Sequence, residues 1–118
     1  MENISVIVSE HPQNKEVTLL AVKGFIDTTT APEFEKKFLT VLGEKKFKLV
    51  VDLKDVNYIS SAGLRIVLQA AKQMKTKGGR LALCSLREQI REVFNISGFS
   101  GILDIAPTAE EAMLRLSA

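Results

Sequence analysis

A single cysteine, a single histidine and the want of any long apolar run remove several classes of function from this chain at the outset. Cys84 has no second cysteine to pair with, so neither an internal disulfide nor a thiolate metal cage is open to it, which suits a reducing compartment. Its neighbours Leu81, Ala82 and Leu83 make it a buried strand cysteine. His11 lies in the polar stretch His11-Pro12-Gln13-Asn14-Lys15 with no visible partner, so a serine nucleophile would have no imidazole base. A lysine base fares no better: no Ser-x-x-Lys begins at Ser61, because Leu64 stands where the lysine would. Nor does the chain hold the Gly-x-x-x-x-Gly-Lys-Ser/Thr run of a phosphate loop, and Gly78-Gly79 does not replace it. No enzymatic activity, cofactor or metal is expected. Asp52 and Asp55, at the end of an apolar strand, read as turn formers rather than metal ligands.

Charge is equally uninformative about large anionic partners. Sixteen basic and fourteen acidic residues leave a formal charge of +2 with no basic block, which disfavours nucleic acid and anionic lipid. No apolar stretch approaches the ~20 residues that span a bilayer, so direct membrane insertion is not expected. Met1-Glu2-Asn3-Ile4-Ser5 lacks the basic start and apolar run of a secretory signal, making the cytoplasm the default location.

What is present is an ordinary core. A length of 118 residues, 46% of them hydrophobic and 25% charged, fits one domain over residues 1–118. Ile4 to Val8 and Val17 to Lys23 are rich in β-branched residues and flank the polar stretch at His11, so they read as two strands joined by a turn, the second ended by Gly24. Thr30-Ala31-Pro32-Glu33 has the form of a capping box, and Phe34, Phe38, Val41 and Leu42 follow at helical spacing up to Gly43. Phe47 to Leu53 is nearly continuous apolar sequence, as for a strand covered on both faces near the sheet centre. Leu64, Val67, Leu68, Ala71 and Met74 form one helical stripe over about Ser61 to Lys77, ended by Gly78-Gly79. Arg80 to Ser85 is a further strand. Ser85-Leu86-Arg87-Glu88 repeats the capping-box form before a helix carrying Leu86, Ile90, Val93 and Phe94 and closed by Gly98. Ile102 to Ile105 is a short last strand, and Pro107-Thr108-Ala109-Glu110-Glu111 opens a final helix. The order predicts an α/β domain: a mixed, mostly parallel sheet of about five strands with about four helices, the first hairpin giving an antiparallel edge.

The segment Val50-Val51-Asp52-Leu53 to Tyr58-Ile59-Ser60-Ser61-Ala62-Gly63-Leu64-Arg65 carries a strand into a helix start with two serines at the junction. The first amides of a helix have no intrahelical acceptor and sit at the positive end of the peptide dipoles, so a phosphate there would be well received. Ser61 is therefore a candidate phosphorylation acceptor. From local sequence it reads first as an N-cap, its hydroxyl satisfying an amide of the next turn, since Ser is among the favoured N-cap residues. Ser60 competes for the capping role; if Ser60 caps, Ser61 takes the first helical position with its side chain free to project.

The chain as a whole resembles the STAS domain family, and within it the bacterial anti-anti-sigma factors, or anti-sigma factor antagonists. The resemblance covers nearly all of the sequence and rests on Gly24-Phe25-Ile26-Asp27, on the strand and serine turn just quoted, on Gly78-Gly79, and on Val93-Phe94-Asn95-Ile96-Ser97-Gly98. It implies that Ser61, two residues before Gly63-Leu64, is phosphorylated by a partner that is both anti-sigma factor and serine kinase. It implies also that the dephosphorylated form binds this kinase and frees the sigma factor, and that a metal-dependent serine phosphatase reverses the modification. The family often has Asp just before the acceptor; here Ser60 stands there, which makes Ser60 a second candidate. Asp27, Asn57, Ser60, Ser61, Gly63, Leu64, Arg65 and Gln69 are the expected partner-binding residues. Asp27 reads equally as a carboxylate capping Thr28-Thr29-Thr30, Gly63 as a site of close helix–sheet packing, and Tyr58 as a core-edge aromatic with its hydroxyl outward. A different class of function stays open: a non-phosphorylated STAS scaffold, or a soluble subunit of a membrane transport assembly, in which Ser61 is only an N-cap.

Overall fold

The computed structural model describes residues 4–101 and 103–117. Residues 1–3, part of the N-terminal stretch read above, and Ile102, the expected first residue of the last strand, lie outside them. The elements follow the expected order: β1 (Ile4–His11), β2 (Asn14–Ile26), α1 (Ala31–Gly43), β3 (Lys48–Ile59), α2 (Ser61–Thr76), β4 (Arg80–Cys84), α3 (Glu88–Ser97), a 3-10 turn (Phe99–Gly101), β5 (Asp104–Ala106) and α4 (Ala109–Ser117). The strands form one sheet in the order β1-β2-β3-β4-β5. β1 and β2 are antiparallel, as a two-residue connection requires, and every later neighbour is parallel because a helix intervenes.

Alternation along the strands sends side chains to two cores. Leu20, Val22, Leu49, Val51, Leu53 and Leu83 pack with Phe34 and Phe38 of α1, Val67 and Met74 of α2, and Ile90 and Phe94 of α3. On the opposite face Val17, Val50, Ala82, Cys84 and Ala106 meet Ala112, Met113 and Leu116 of α4. β3 is thus buried from both sides, which is why its sequence is nearly continuous in apolar residues. Fully burying side chains such as Phe34 or Leu49 is worth about 1.5–3 kcal/mol each.

Several local expectations are corrected. Gly24 does not end β2; it adopts φ 107° inside the strand, at a slip in its pairing with β3. Nor does β3 end near Asp52. The pairing runs from Ala21 with Asp52 to Lys23 with Asp55, and from Gly24 with Val56 to Phe25 with Tyr58, so β3 carries one extra residue at each of two bulges. Asp52 and Asp55 lie within the strand, and Asp52 Oδ1 accepts the Lys54 amide at 3.0 Å across the first bulge. His11 is not a turn residue either. It closes β1, is 3% exposed, and its Nδ1 accepts the Gln13 amide at 3.1 Å.

Neither of the first two capping boxes forms. Thr30 has helical backbone angles and makes no cap bond, while α3 starts at Glu88 without a side-chain cap and Ser85 sits at φ 60°. The capped start of α4 is present, with Thr108 Oγ1 accepting the Glu111 amide at 3.1 Å.

Candidate functional site

At the end of β3 the backbone passes straight from strand to helix, and Ser60 makes the transition. Its amide donates to the Ile26 carbonyl at 2.9 Å, extending the β2–β3 ladder by one residue. Its backbone is extended, at φ −85° and ψ 170°, and its Oγ accepts the Gly63 amide at 3.1 Å while its carbonyl accepts the Leu64 amide at 2.8 Å. Those are the bonds of an N-cap. The cap is therefore Ser60 and not Ser61, and the reading of Ser61 as the capping serine is set aside.

Ser61 is the first residue of α2 and is exposed. No acidic residue occupies the first turn of α2, so an anion placed on the Ser61 hydroxyl meets the dipole's positive end without a carboxylate beside it on that turn. Arg65 and Gln69 are also exposed. At four-residue intervals from Ser61, they continue one outward stripe along the helix. Beside the stripe, Ala62, Ile66 and Gln69 of α2 and Ala31, Pro32 and Glu35 of α1 line a groove of about 210 Å³.

Gly63 and Leu64, grouped with the docking residues from sequence, are turned inward. Leu64 is 4% exposed and belongs to the core. Gly63 is buried against β2, where a Cβ would stand 2.8 Å from Ile26 Cγ2 and closer still to the Ile26 carbonyl oxygen. Both residues set the position of α2 on the sheet and offer no surface of their own.

Asp27 follows Ile26, and Ile26 pairs with Ile59, so the β2–α1 turn stands next to the serines. Asp27 Oδ1 accepts the Thr29 hydroxyl at 2.7 Å and the Thr29 and Thr30 amides at 2.9 and 3.0 Å. The Asp27 carbonyl takes the Ala31 amide at 2.8 Å. Asp27 thus ties together the turn that leads into α1, and the Glu33 amide bonds the Thr30 carbonyl at 3.0 Å rather than the Thr30 hydroxyl. Thr30 Oγ1 is drawn away to the Phe25 carbonyl at 2.7 Å and accepts the Asp27 amide at 2.9 Å. The Thr29 hydroxyl, helped by the Thr30 and Thr29 amides against some cost of burial, holds the Asp27 carboxyl below its ordinary pKa.

Asn57 occupies the second bulge, exposed, and its Oδ1 accepts from Arg87 Nη1 at 2.6 Å. Arg87 Nε donates to the Lys54 carbonyl at 2.8 Å, so one guanidinium spans both bulges of β3. Nothing local marks this link: Arg87 falls inside the Ser85 to Glu88 capping-box pattern, and its contact with Asn57 joins residues thirty positions apart. Tyr58, between Asn57 and the serine junction, is 54% exposed and stands on the surface rather than at the core edge.

Other reactive groups are remote from the serines or closed off. His11 pairs with Asn14 at the start of β2, whereas Ser60 bonds Ile26 at its end, so the length of β2 separates imidazole from hydroxyl. Burial, with the Asp52 charge adding to it, pushes the Cys84 thiol up to about 12. Among the described residues no three His, Cys, Asp or Glu side chains gather as metal ligands, and no helix is long and apolar enough to cross a membrane.

Residues 9–112 match the model of the STAS domain. The chain is 38% identical over 94 residues to BtrV of Bordetella bronchiseptica, named as a candidate anti-sigma factor antagonist, with 80% of this chain and 81% of that protein covered. It is 35% identical over 108 residues to the anti-sigma-B factor antagonist of Bacillus subtilis, covering 92% and 95%. In structure it is similar to an anti-sigma factor antagonist from Mycobacterium paratuberculosis, with a TM-score of 0.87 at 24% identity over 98% of this chain and 95% of that one. With the five-strand mixed sheet, its four helices and the serine junction in place, these matches show that the chain belongs to the STAS domain family.

Proposed function

We propose that this protein is an anti-sigma factor antagonist working as a phosphorylation-controlled binding switch. In its dephosphorylated form it binds an anti-sigma factor that is also a serine kinase, and the sigma factor is released. The kinase transfers the γ-phosphoryl group of ATP to the Ser61 Oγ, leaving ADP and a proton, and a metal-dependent serine phosphatase hydrolyses the ester. The docking surface is the outward stripe Ser61, Arg65 and Gln69, flanked by the Asp27 turn and by Asn57.

The observation that carries this reading is the division of labour between adjacent serines. Because Ser60 supplies the cap, Ser61 has no structural duty at the helix start and its hydroxyl is exposed. A phosphoryl group there adds about −1.5 to −2 charges, tolerated by the helix dipole but costly once a partner covers it and excludes water. The fold survives while the interface fails. The names of the relatives from Bordetella bronchiseptica and Bacillus subtilis support the same assignment.

The test is incubation with the cognate kinase and ATP, followed by mass spectrometry of the intact protein and of its peptides. One added phosphoryl group is expected on the peptide holding Ser61, and none on Ser61→Ala. Modification of Ser61→Ala at the wild-type rate would transfer the role to Ser60 or elsewhere.

A further inference from the structure

The two edges of the sheet are treated very differently. β5 is three residues long, and its Ile105 carbonyl accepts from Arg115 Nη1 at 3.0 Å. Arg115 and Arg80 both pair with Asp104 on the same strand, at 3.0 and 3.5 Å. Shortness and charge of this kind block the addition of another strand. β1 at the other edge has eight residues, and among the described residues no strand pairs with its outer side. It holds no proline and no lysine, and its only irregularity falls between Glu10 and His11, beyond the stretch 5–9.

That stretch, Ser5-Val6-Ile7-Val8-Ser9, reads the same in both directions. An antiparallel copy centred on Ile7 would place like against like: Ser5 opposite Ser9 of the partner subunit, Val6 opposite Val8 of the partner subunit, and Ile7 opposite its own equivalent. The single carboxylate of the strand, Glu10, would face an isoleucine, so no like charges oppose one another. Ile7 is 62% exposed, the most exposed large apolar residue of any strand. Val6 is buried in the core on the α1 side and Val8, half-buried, packs against it, so alternation turns Ile7 to the other face, where α4 packs on β2 to β5.

We propose that β1 is a self-association edge, joining two copies of this chain about a twofold axis at Ile7 into one continuous ten-stranded sheet. The pairing is isologous and closes on itself, so it yields dimers and not filaments. β2 lies between β1 and β3, which leaves the Ser61 face of each copy free. An edge of this length makes a small interface, and the association is correspondingly weak.

Sedimentation of the full chain from ~1 μM to ~1 mM, the span of weak affinities, reads this directly. The mass is expected to climb from 13.0 kDa toward twice that value. Ile7→Lys, at an exposed position, should keep the monomer mass throughout with an unchanged melting temperature. Ile7→Cys under oxidised glutathione should give a disulfide-linked dimer, because facing strand residues lie ~4.5–5.5 Å apart at Cα, within disulfide reach. Leu114→Cys on α4, similarly exposed at 57%, should not. A 13.0 kDa particle at the highest concentration overturns the proposal, as does a dimer that survives Ile7→Lys or equal cross-linking through Leu114→Cys.

Discussion

Gly63 and Ile26 are in such close apposition that the first turn of α2 rests directly on the end of β2, with no room between them for a methyl group. Ile26 is also the residue whose carbonyl accepts the Ser60 amide, so one β2 residue fixes both the cap and the first turn of the helix that presents Ser61. Helix propensity alone would make Gly63→Ala stabilising by up to about 1 kcal/mol. Here the added carbon meets a backbone carbonyl, which cannot rotate aside, so overpacking wins. A net loss of about 1–3 kcal/mol is expected, read as a lower urea midpoint with unchanged slope.

The adjacent serines should respond in opposite ways. Ser60→Ala removes the acceptor for the Gly63 amide and should cost about 0.5–2 kcal/mol of stability. Ser61→Ala removes a solvent-facing hydroxyl and should change stability by no more than about 0.5 kcal/mol while abolishing phosphoryl acceptance. Thermal melts and kinase assays on the two variants separate the roles. Equal destabilisation by both would mean that the serines share the cap.

Ser61→Asp tests the output side. The variant should melt within a degree or so of wild type, since a carboxylate at a helix start is well placed. Its affinity for the kinase should fall by about a hundredfold, or about 2.7 kcal/mol, the scale of one charge stranded in an interface. Titration calorimetry against the unphosphorylated wild type measures it. Wild-type affinity would remove charge from the switching mechanism.

Asp27 makes the β2–α1 turn sensitive to acid. Its carboxyl is held below the ordinary carboxylate range, chiefly by the Thr29 hydroxyl, so the charged form is favoured by folding. The contribution is present above the unfolded pKa and is lost as pH falls through the lower folded value. Asp27→Asn keeps an oxygen acceptor but not the charge. The melting-temperature difference between wild type and this variant should be constant near neutrality and narrow as pH falls below the ordinary carboxylate range. A difference independent of pH would assign the stabilisation to hydrogen-bond geometry rather than charge.

The order of strands and helices was legible because apolar periodicity is local: Phe34, Phe38 and Val41 announce one helix, and Val50 between Leu49 and Val51 announces a doubly covered strand. The serine junction was legible for the same reason, although which serine caps depended on how β3 meets β2. A capping-box pattern fails where a competitor lies just outside it. Thr30 and Glu33 fit the template, yet Asp27, three residues earlier, accepts the Thr30 amide, and the Thr30 hydroxyl turns to the Phe25 carbonyl while the Glu33 amide bonds the Thr30 carbonyl. The bulges of β3 were invisible because register is a property of two strands, and β2 and β3 are separated by a whole helix.

Arg87 belongs to the same class of long-range features. Its guanidinium holds the Lys54 carbonyl and Asn57 Oδ1 together, bracing the irregular end of β3 that leads to Ser61. Lysine cannot reproduce this, since a point charge lacks the planar fork that reaches two acceptors at once. Arg87→Lys should therefore behave like Arg87→Ala. The contacts are exposed to solvent, which limits their worth: a double-mutant cycle of Arg87→Ala with Asn57→Ala should give a coupling of about 0.5–1 kcal/mol. If bracing serves docking, each single variant should also raise the dissociation rate of the kinase complex while leaving the amide exchange of the α2 interior unchanged. Additive stability effects with unaltered dissociation would reduce Arg87 to a surface residue.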